Sequence, residues 1–231
     1  MKIYVRFFLI LFVAIFVAFF SLRANAQSAS LQLVVTWQAY GSYVPPQYIG
    51  KALPSRHSEI SASVALLSNG KLVDVSNQTV YWYLNDTLVE GGVGKQYVVL
   101  SPFGAPPAFL DLRAELPSYN GTTLIHDVQI PFVDPKAVIE APHPGGQFSG
   151  SSISIQGTPY FFYTSDPGTL SYGWSVNGQT SASVENPQTL QIKTPLATPS
   201  GSLFGVSLTI TDRNNNISEN DSTNITYVKQ L

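Results

Sequence analysis

Short runs in which apolar and polar residues alternate are the feature that most restricts how this chain folds. In the run LQLVVTW (31–37) every second residue is apolar, and the same alternation returns at 58–67, 79–85 and 109–116. Alternation of period two places the apolar side chains on one face of a β-strand. The 16 prolines and 17 glycines are spread along the chain, which disfavours long helices. The pattern therefore predicts an all-β protein built from sandwiches or a barrel.

One strand-like phrase occurs twice in the chain. VYWYLND at 80–86 and YGWSVNG at 172–178 each contain a tryptophan followed three residues later by an asparagine. A single inward tryptophan fills the space between two sheets that pack about 10 Å apart. Trp82 and Trp174 are therefore predicted to be the structural core residues of two separate β-sandwiches.

Two prolines, Pro131 and Pro135, end the last strand-like run of the first copy and stiffen the link to the second. The predicted domains are accordingly residues 27–134 and residues 135–231. Each repeats the same order of an extended segment, a tryptophan strand, a later alternating strand and a final strand.

The second copy carries AVIEAPHPGG, SSISIQG, LSYGWSVNG and VSLTITDRNNN in that order within residues 136–231. This order resembles the PKD-like and bacterial immunoglobulin-like domains of exported surface proteins, and the resemblance is weaker over 27–134. Ser-Val-Asn follows Trp174 where PKD domains have an aspartate-rich run, so the looser immunoglobulin-like assignment is favoured. The resemblance implies tandem β-sandwiches with a structural or adhesive role, and it brings no active-site residues.

The first 26 residues have the order of a secretory leader. Lys2 and Arg6 precede a mainly apolar stretch at 7–22, and Ala24-Asn25-Ala26 supplies the small residues of a cleavage site. Residues 1–26 are therefore predicted to be a signal peptide cleaved after Ala26. The alternative is an uncleaved N-terminal anchor, although a spanning helix needs about 20 apolar residues. The expected location is secreted or cell-surface, with membrane contact only through this segment if it is retained.

Charge and cysteine content exclude several kinds of partner and site. The chain has 12 basic and 14 acidic residues, and three of the basic residues belong to the leader. An acidic chain lacks the basic patches that nucleic acids require, so no nucleic-acid partner is expected. Because the chain has no cysteine, disulfides, thiol catalysis and thiolate metal sites are excluded.

No catalytic set is recognisable in the sequence. His57, His126 and His143 are isolated from one another and none belongs to a metal-binding motif. No G-x-S-x-G elbow occurs, and the acidic residues are too scattered to assign a pair for glycoside cleavage. The chain is predicted to be no enzyme and to need no cofactor.

The loop TDRNNNISEND (211–221) imitates part of a calcium site. Asp212, Asn214 and Asn216 match the first three ligand positions of an EF-hand loop. The required glycine and the final glutamate are missing, so no metal site is predicted.

The segment YGSYVPPQYIGKALP (40–54) is the predicted partner-binding feature. Tyr40, Tyr43 and Tyr48 flank two prolines, which cannot belong to a central strand. Exposed tyrosines on a stiff loop form a platform for sugar rings or for a protein. The alternative is that they pack back on the sandwich and cover its edge. The aromatic run at 159–165 raises the same question.

These features together predict a non-catalytic secreted or cell-surface module, structural or adhesive, that binds a protein or glycan partner. Two alternatives stay open. One is an accessory domain of a polysaccharide-acting enzyme, and the other is a component of a pilus or secretion assembly that is held by strand addition.

Overall fold

The computed structural model describes residues 30–101, 108–141, 144–181 and 186–229. The predicted leader at 1–26 lies outside the described residues. Within the described ranges, no helix has both the length and the apolar character needed to cross a membrane.

Strands make up nearly all of the regular structure in the described residues. In chain order they are β1 (Leu31–Tyr40), β2 (Glu59–Ser68), β3 (Lys71–Val73), β4 (Thr79–Leu84), β5 (Thr87–Val93), β6 (Tyr97–Leu100), β7 (Phe109–Tyr119), β8 (Thr122–Pro131), β9 (Lys136–Glu140), β10 (Gln147–Phe148), β11 (Ser152–Tyr160), β12 (Ser171–Val176), β13 (Gln179–Ser181), β14 (Thr189–Lys193), β15 (Leu203–Asp212) and β16 (Ile217–Tyr227). Two single-turn 3-10 helices are Pro144–Gly146 and Pro167–Thr169. The prediction of an all-β chain is confirmed.

The first eight strands form two antiparallel sheets with one core between them. One sheet has the order β1-β2-β3, with β6 also paired to β2, and the other has the order β5-β4-β7-β8. The alternation read from the sequence matches the burial, because the apolar face of each long strand points inward. The largest fully buried side chains of this core are Trp82, Ile60, Leu66, Leu110, Leu112, Leu116 and Ile130.

The last eight strands form a second sandwich with its own core. Its sheets have the orders β14-β11-β9 and β10-β16-β15-β12-β13, and all pairings are antiparallel except that of β10 with β16. Strand β12 lies between β13 and β15 as β4 lies between β5 and β7, so the two halves share one topology. The largest fully buried side chains here are Phe162, Ile155, Leu190, Leu208 and Ile210. The chain is therefore a tandem of two β-sandwiches.

The two tryptophans of the repeated phrase have matching environments. Trp82 is 0% exposed and Trp174 is 2% exposed, each within the core of its own sandwich. The indole N–H of Trp82 donates to the carbonyl of Lys95 at 2.8 Å, and that of Trp174 donates to the carbonyl of Pro187 at 3.0 Å. In both cases the acceptor lies 13 residues after the tryptophan. Each indole thus fills the intersheet space and also ties a later loop to the tryptophan strand.

The two asparagines of the repeated phrase also have matching conformations and hydrogen bonds. Asn85 and Asn177 follow β4 and β12 with φ angles of 47° and 51°, a left-handed conformation that asparagine tolerates. The side-chain oxygen of Asn85 accepts from the backbone N–H of Asp111 at 3.1 Å. Asn177 accepts in the same way from Gly205 at 2.8 Å. The asparagine therefore turns the chain and fastens the end of the tryptophan strand to the neighbouring strand.

Candidate functional site

The segment predicted to bind a partner joins the two sandwiches instead of projecting freely from the first. The backbone N–H of Tyr43 donates to the carbonyl of Phe162 at 2.8 Å, and the N–H of Phe161 donates to the carbonyl of Tyr43 at 2.6 Å. Ser42 and Tyr163 form an isolated antiparallel bridge beside these bonds. We call residues 42–43 and 161–163 together the clasp. It pairs the chain after β1 of the first sandwich with the chain after β11 of the second.

Aromatic rings surround the clasp. The ring of Tyr48 meets Tyr160 edge to face, with centroids 6.1 Å apart, and meets Phe161 in the same manner at 5.8 Å. Such edge-to-face pairs contribute about 0.5–1.5 kcal/mol beyond area burial. The two tyrosine-rich segments noted in the sequence, 40–54 and 159–165, are thus brought together by the fold.

The three predicted binding tyrosines differ in exposure. Tyr43 and Tyr48 are half-buried where the segments 40–54 and 159–165 meet between the two sandwiches, a region that we call the seam. Tyr40 at the end of β1 is 49% exposed. The sequence left two possibilities open for these tyrosines, an exposed platform or packing on the edge of the first sandwich. In the structure, Tyr43 and Tyr48 instead contact residues of the second sandwich. A partner-binding role for these three side chains stays a prediction.

Backbone conformations that cost energy occur in the clasp and beside it. Phe161 has a φ of 61° and is 9% exposed, and His57, whose ring faces Tyr163, has a φ of 77°. Left-handed backbone at bulky residues costs about 1–3 kcal/mol and persists only where the surroundings hold it. Gly41 has a φ of 80°, and the Tyr163 ring occupies the space that a Cβ would need. The glycine is therefore required both by its backbone angle and by the close approach of the ring.

The far end of the 41–54 loop is tied back to the first sandwich. The ammonium group of Lys51 lies 3.3 Å from the centre of the Trp37 ring, a cation–π contact. Partial burial lowers the pKa of Lys51. The hydroxyl of Ser42 donates to the carbonyl of Leu53 at 2.6 Å, which closes the loop on itself. A loop held at both ends presents the clasp residues in one arrangement.

The tyrosines of the seam are held in their neutral form. Burial, and then the negative charge of Asp166, raise the pKa of Tyr43. Burial is also the main cause of the raised pKa of Tyr160, whose hydroxyl donates to the carboxylate of Glu140 at 3.3 Å. Neutral phenols act as hydrogen-bond donors and not as bases at physiological pH. The phenol groups of Tyr43 and Tyr160 therefore keep their protons at neutral pH.

A cavity of about 260 Å³ opens beside the clasp, between the two sandwiches. Its walls combine amide, hydroxyl and carboxylate groups with proline faces. The lining residues are Tyr43, Pro45, Pro46, Gln47, Glu140, Gln156, Gly157, Thr158, Pro159 and Gln188. We call this cavity the interdomain cleft. It was not predicted from the sequence, because its residues come from four separate parts of the chain. One part, 43–47, belongs to the first sandwich, and the others, at 140, 156–159 and 188, belong to the second.

One wall of the interdomain cleft carries two polar side chains of β11, Gln156 and Thr158. The hydroxyl of Thr158 is not one of the buried polar atoms without a partner, which in the described residues are Arg113 Nε and Thr194 Oγ1. The side-chain oxygen of Gln156 accepts from Thr189 at 3.1 Å, and its amide nitrogen has no partner in the described ranges. This amide N–H group is available to a ligand in the cleft.

Gly157, at the floor of the interdomain cleft, lies where a side chain would not fit. An added Cβ at Gly157 would lie 2.8 Å from Leu208 Cδ2 and 2.8 Å from Trp174 Cζ2. The backbone N–H of Gly157 donates to the carbonyl of Gln188 at 2.7 Å. The cleft therefore rests directly on the indole that fills the second sandwich.

The calcium-like loop has a structural use. The carboxylate of Asp212 accepts from the backbone N–H groups of Asn214 and Asn215 at 3.0 and 3.2 Å. It also accepts from the Asn215 side chain at 2.6 Å. These bonds close the turn between β15 and β16.

The other ionisable residues in the described part of the chain do not gather into a metal site. No group of three or more histidine, aspartate or glutamate side chains suited to a metal ion occurs within the described residues. His57 lies at the clasp and His126 lies on β8, whereas His143 is outside the described residues.

Solved structures of tandem β-sandwich proteins are similar to this chain at low identity. The fibronectin(III)-like modules of CbhA from Clostridium thermocellum are 16% identical, with a TM-score of 0.33, over 85% of this chain and 95% of that one. Three N-terminal domains of the Highly Immunogenic Outer Capsid protein of bacteriophage RB49 are 14% identical, with a TM-score of 0.43, over 85% of this chain and 59% of that one. Murine CEACAM1b is 13% identical, with a TM-score of 0.29, over 84% of this chain and 100% of that one.

No protein-family model matches the chain, and no curated protein matches it. The TM-scores of the three solved structures are all below 0.5. The assignment of two β-sandwiches therefore depends on the strand pairing and on the two separate cores.

Proposed function

We propose that this chain is a non-catalytic structural or adhesive module, secreted or displayed on the cell surface, that binds a protein or glycan partner. The observation that supports the proposal is the clasp. Two sandwiches without any disulfide are joined by reciprocal backbone hydrogen bonds at Tyr43 and by the rings around Phe161. A spacer or adhesin needs a fixed relation between its domains, since a rigid binding surface loses less entropy on binding.

The rigidity part of the proposal is tested by distance measurements between spin labels. The chain has no cysteine, so Gln32→Cys on β1 and Thr209→Cys on β15 accept one label each, and both positions are exposed. We expect a single narrow distribution of label-to-label distances. The variant Tyr48→Ala removes the ring contacts with Tyr160 and Phe161 and broadens that distribution.

Tyr40→Ala is the matched control, because Tyr40 is exposed and lies in the same region of the chain. It leaves the distance distribution unchanged. A broad distribution in the unmodified chain, or equal broadening in both variants, contradicts a fixed pair of domains.

The binding part of the proposal is tested on cells of the organism that encodes the chain. Fluorescently labelled protein spanning 30–229 is expected to bind intact cells and to be released by competition with unlabelled protein. Tyr48→Ala binds more weakly than the unmodified protein if the fixed arrangement of the domains contributes to binding. An absence of saturable binding would refute an adhesive role for this chain on its own cells.

A further inference from the structure

The interdomain cleft has the composition and size of a small polar binding site. We infer that it binds one ring of a neutral saccharide, with the amides of Gln47, Gln156 and Gln188 contacting the ring hydroxyls. This inference rests on the proposed function and names the ligand class of that same module.

The hydrogen-bonding groups of the cleft match those of a sugar. Each glutamine amide both donates and accepts, and each sugar hydroxyl does the same. The amide nitrogen of Gln156 has no partner among the described residues, so it can donate to a hydroxyl group of a ligand. Pro46 is exposed and supplies apolar contact for the C–H face of a ring, whereas Pro45 and Pro159 are largely buried.

The volume of the cleft limits the ligand to about one ring. A cavity of about 150 Å³ accommodates a benzene molecule. The interdomain cleft measures about 260 Å³, which leaves room for a six-membered ring with its hydroxyl groups. Drug-sized ligand sites are larger, at roughly 300–1,000 Å³. The cleft thus suits the terminal unit of a glycan.

The charge of the cleft disfavours an anionic sugar. Glu140 is the ionisable carboxylate in the lining, and no lysine or arginine belongs to the lining residues of the cleft that the structure describes. An anionic sugar would approach Glu140 without a compensating cation, which is unfavourable at short range. The Glu140 carboxylate instead accepts hydrogen bonds from neutral hydroxyls, as it already does from Tyr160.

Strand β11 beside the cleft is not an edge strand. Residues 152–156 of β11 pair with β14, and residues 156–160 of the same strand pair with β9. Strand addition needs a free edge, and the edge strands of this three-stranded sheet are β14 and β9. A saccharide that contacts side chains has no such requirement.

The test uses the whole 30–229 protein and follows the side-chain amide signals of glutamine by NMR. The probes are glucose, galactose, mannose and N-acetylglucosamine, with glucuronic acid as the anionic comparison. We expect at least one neutral sugar to shift the amide signals of Gln156 and Gln188 in a saturable manner. Glucuronic acid produces no saturable shift, because it brings a second negative charge next to Glu140.

Substitutions identify the site. Gln156→Ala and Gln188→Ala each weaken binding about tenfold, the effect of one lost hydrogen bond to a ligand. Gln191→Ala is the matched control, because Gln191 is exposed on β14 and is not part of the cleft lining. It leaves the affinity unchanged. Because Gln188 makes no side-chain hydrogen bond within the described ranges, its variant separates a loss of binding from a loss of folding.

The inference is overturned if no neutral sugar shifts these signals, if glucuronic acid binds more tightly than the neutral sugars, or if Gln156→Ala and Gln188→Ala bind as the unmodified chain does. Its failure is distinguishable from failure of the proposed function. If the chain is rigid and binds cells but no sugar shifts its amide signals, the proposed function stands and the saccharide site in the cleft is refuted. If sugars shift the amide signals but the distribution of label-to-label distances is broad, the saccharide site stands and the fixed arrangement of the domains is refuted.

Discussion

Replacing Gly157 with alanine should destabilise the second sandwich alone. The added methyl group would lie 2.8 Å from both Leu208 Cδ2 and Trp174 Cζ2. Carbon atoms pack without repulsion at about 3.5–4.0 Å, so neighbouring groups must move by roughly 1 Å. Leu208 is 0% exposed, and the indole of Trp174 is fastened to Pro187 by its hydrogen bond. Neither side chain has free space into which it can retreat.

The expected cost follows from the measured effects of overpacked cores. An extra methylene in a well-packed interior destabilises by about 1–3 kcal/mol. With a urea dependence of roughly 1–2 kcal/mol per molar for a small domain, the unfolding midpoint of the second sandwich falls by about 1 M. Urea titration followed by NMR resolves the two sandwiches, because each has its own buried tryptophan indole signal, from Trp82 and from Trp174. The midpoint of the Trp82 signal should not change.

Gly173→Ala is the matched control on the adjacent strand β12. Its added Cβ would lie 3.9 Å from Thr209, an ordinary contact, and Gly173 is exposed. Alanine is favoured over glycine within a strand by about 0.5–1 kcal/mol, so this variant is as stable as the unmodified chain or more so. Equal midpoints for Gly157→Ala and the unmodified chain would refute the packing argument.

Two further predictions concern polar groups of the second sandwich. Burial raises the pKa of Tyr172, whose hydroxyl donates to Pro167, so its contribution to the free energy of unfolding is complete below the ordinary tyrosine pKa of about 10 and is lost as pH rises above it. Tyr172→Phe should flatten this alkaline decline in urea titrations, and an unchanged slope would contradict the assignment. Asp212→Ala removes three hydrogen bonds and should cost about 1–3 kcal/mol in thermal unfolding, whereas the exposed neighbour Arg213→Ala should change stability by less than about 0.5 kcal/mol. Equal melting temperatures for these two variants would argue against the turn as a source of stability.

The strands and cores were predictable because they depend on local patterns. Alternation at 31–37 and 109–116 correctly identified the inward faces of β1 and β7. The repeated tryptophan phrase indicated two sandwiches, and Trp82 and Trp174 lie in separate cores. Such patterns are readable because the period of a strand is fixed by backbone geometry.

The clasp and the interdomain cleft were not predictable in the same way. The tyrosines at 40–54 and the aromatic run at 159–165 were recognised as unusual, but nothing local indicates that they contact each other. Their pairing depends on how the two sandwiches meet, which is set by residues far apart in sequence. Phe161 could have provided no signal, because a bulky residue in left-handed backbone contradicts its local preference. The sequence therefore pointed to the two segments that form the seam, 40–54 and 159–165, but did not indicate that they contact each other.

The central claim is that the clasp holds the two sandwiches together, and amide hydrogen exchange tests it most directly. The N–H groups of Tyr43 and Phe161 donate across the seam, although neither residue belongs to a named strand. We predict that both exchange at least about tenfold more slowly than the N–H of Ile49, which lies fully exposed in the same loop. Exchange of Tyr43 and Phe161 as fast as that of Ile49 would contradict the claim.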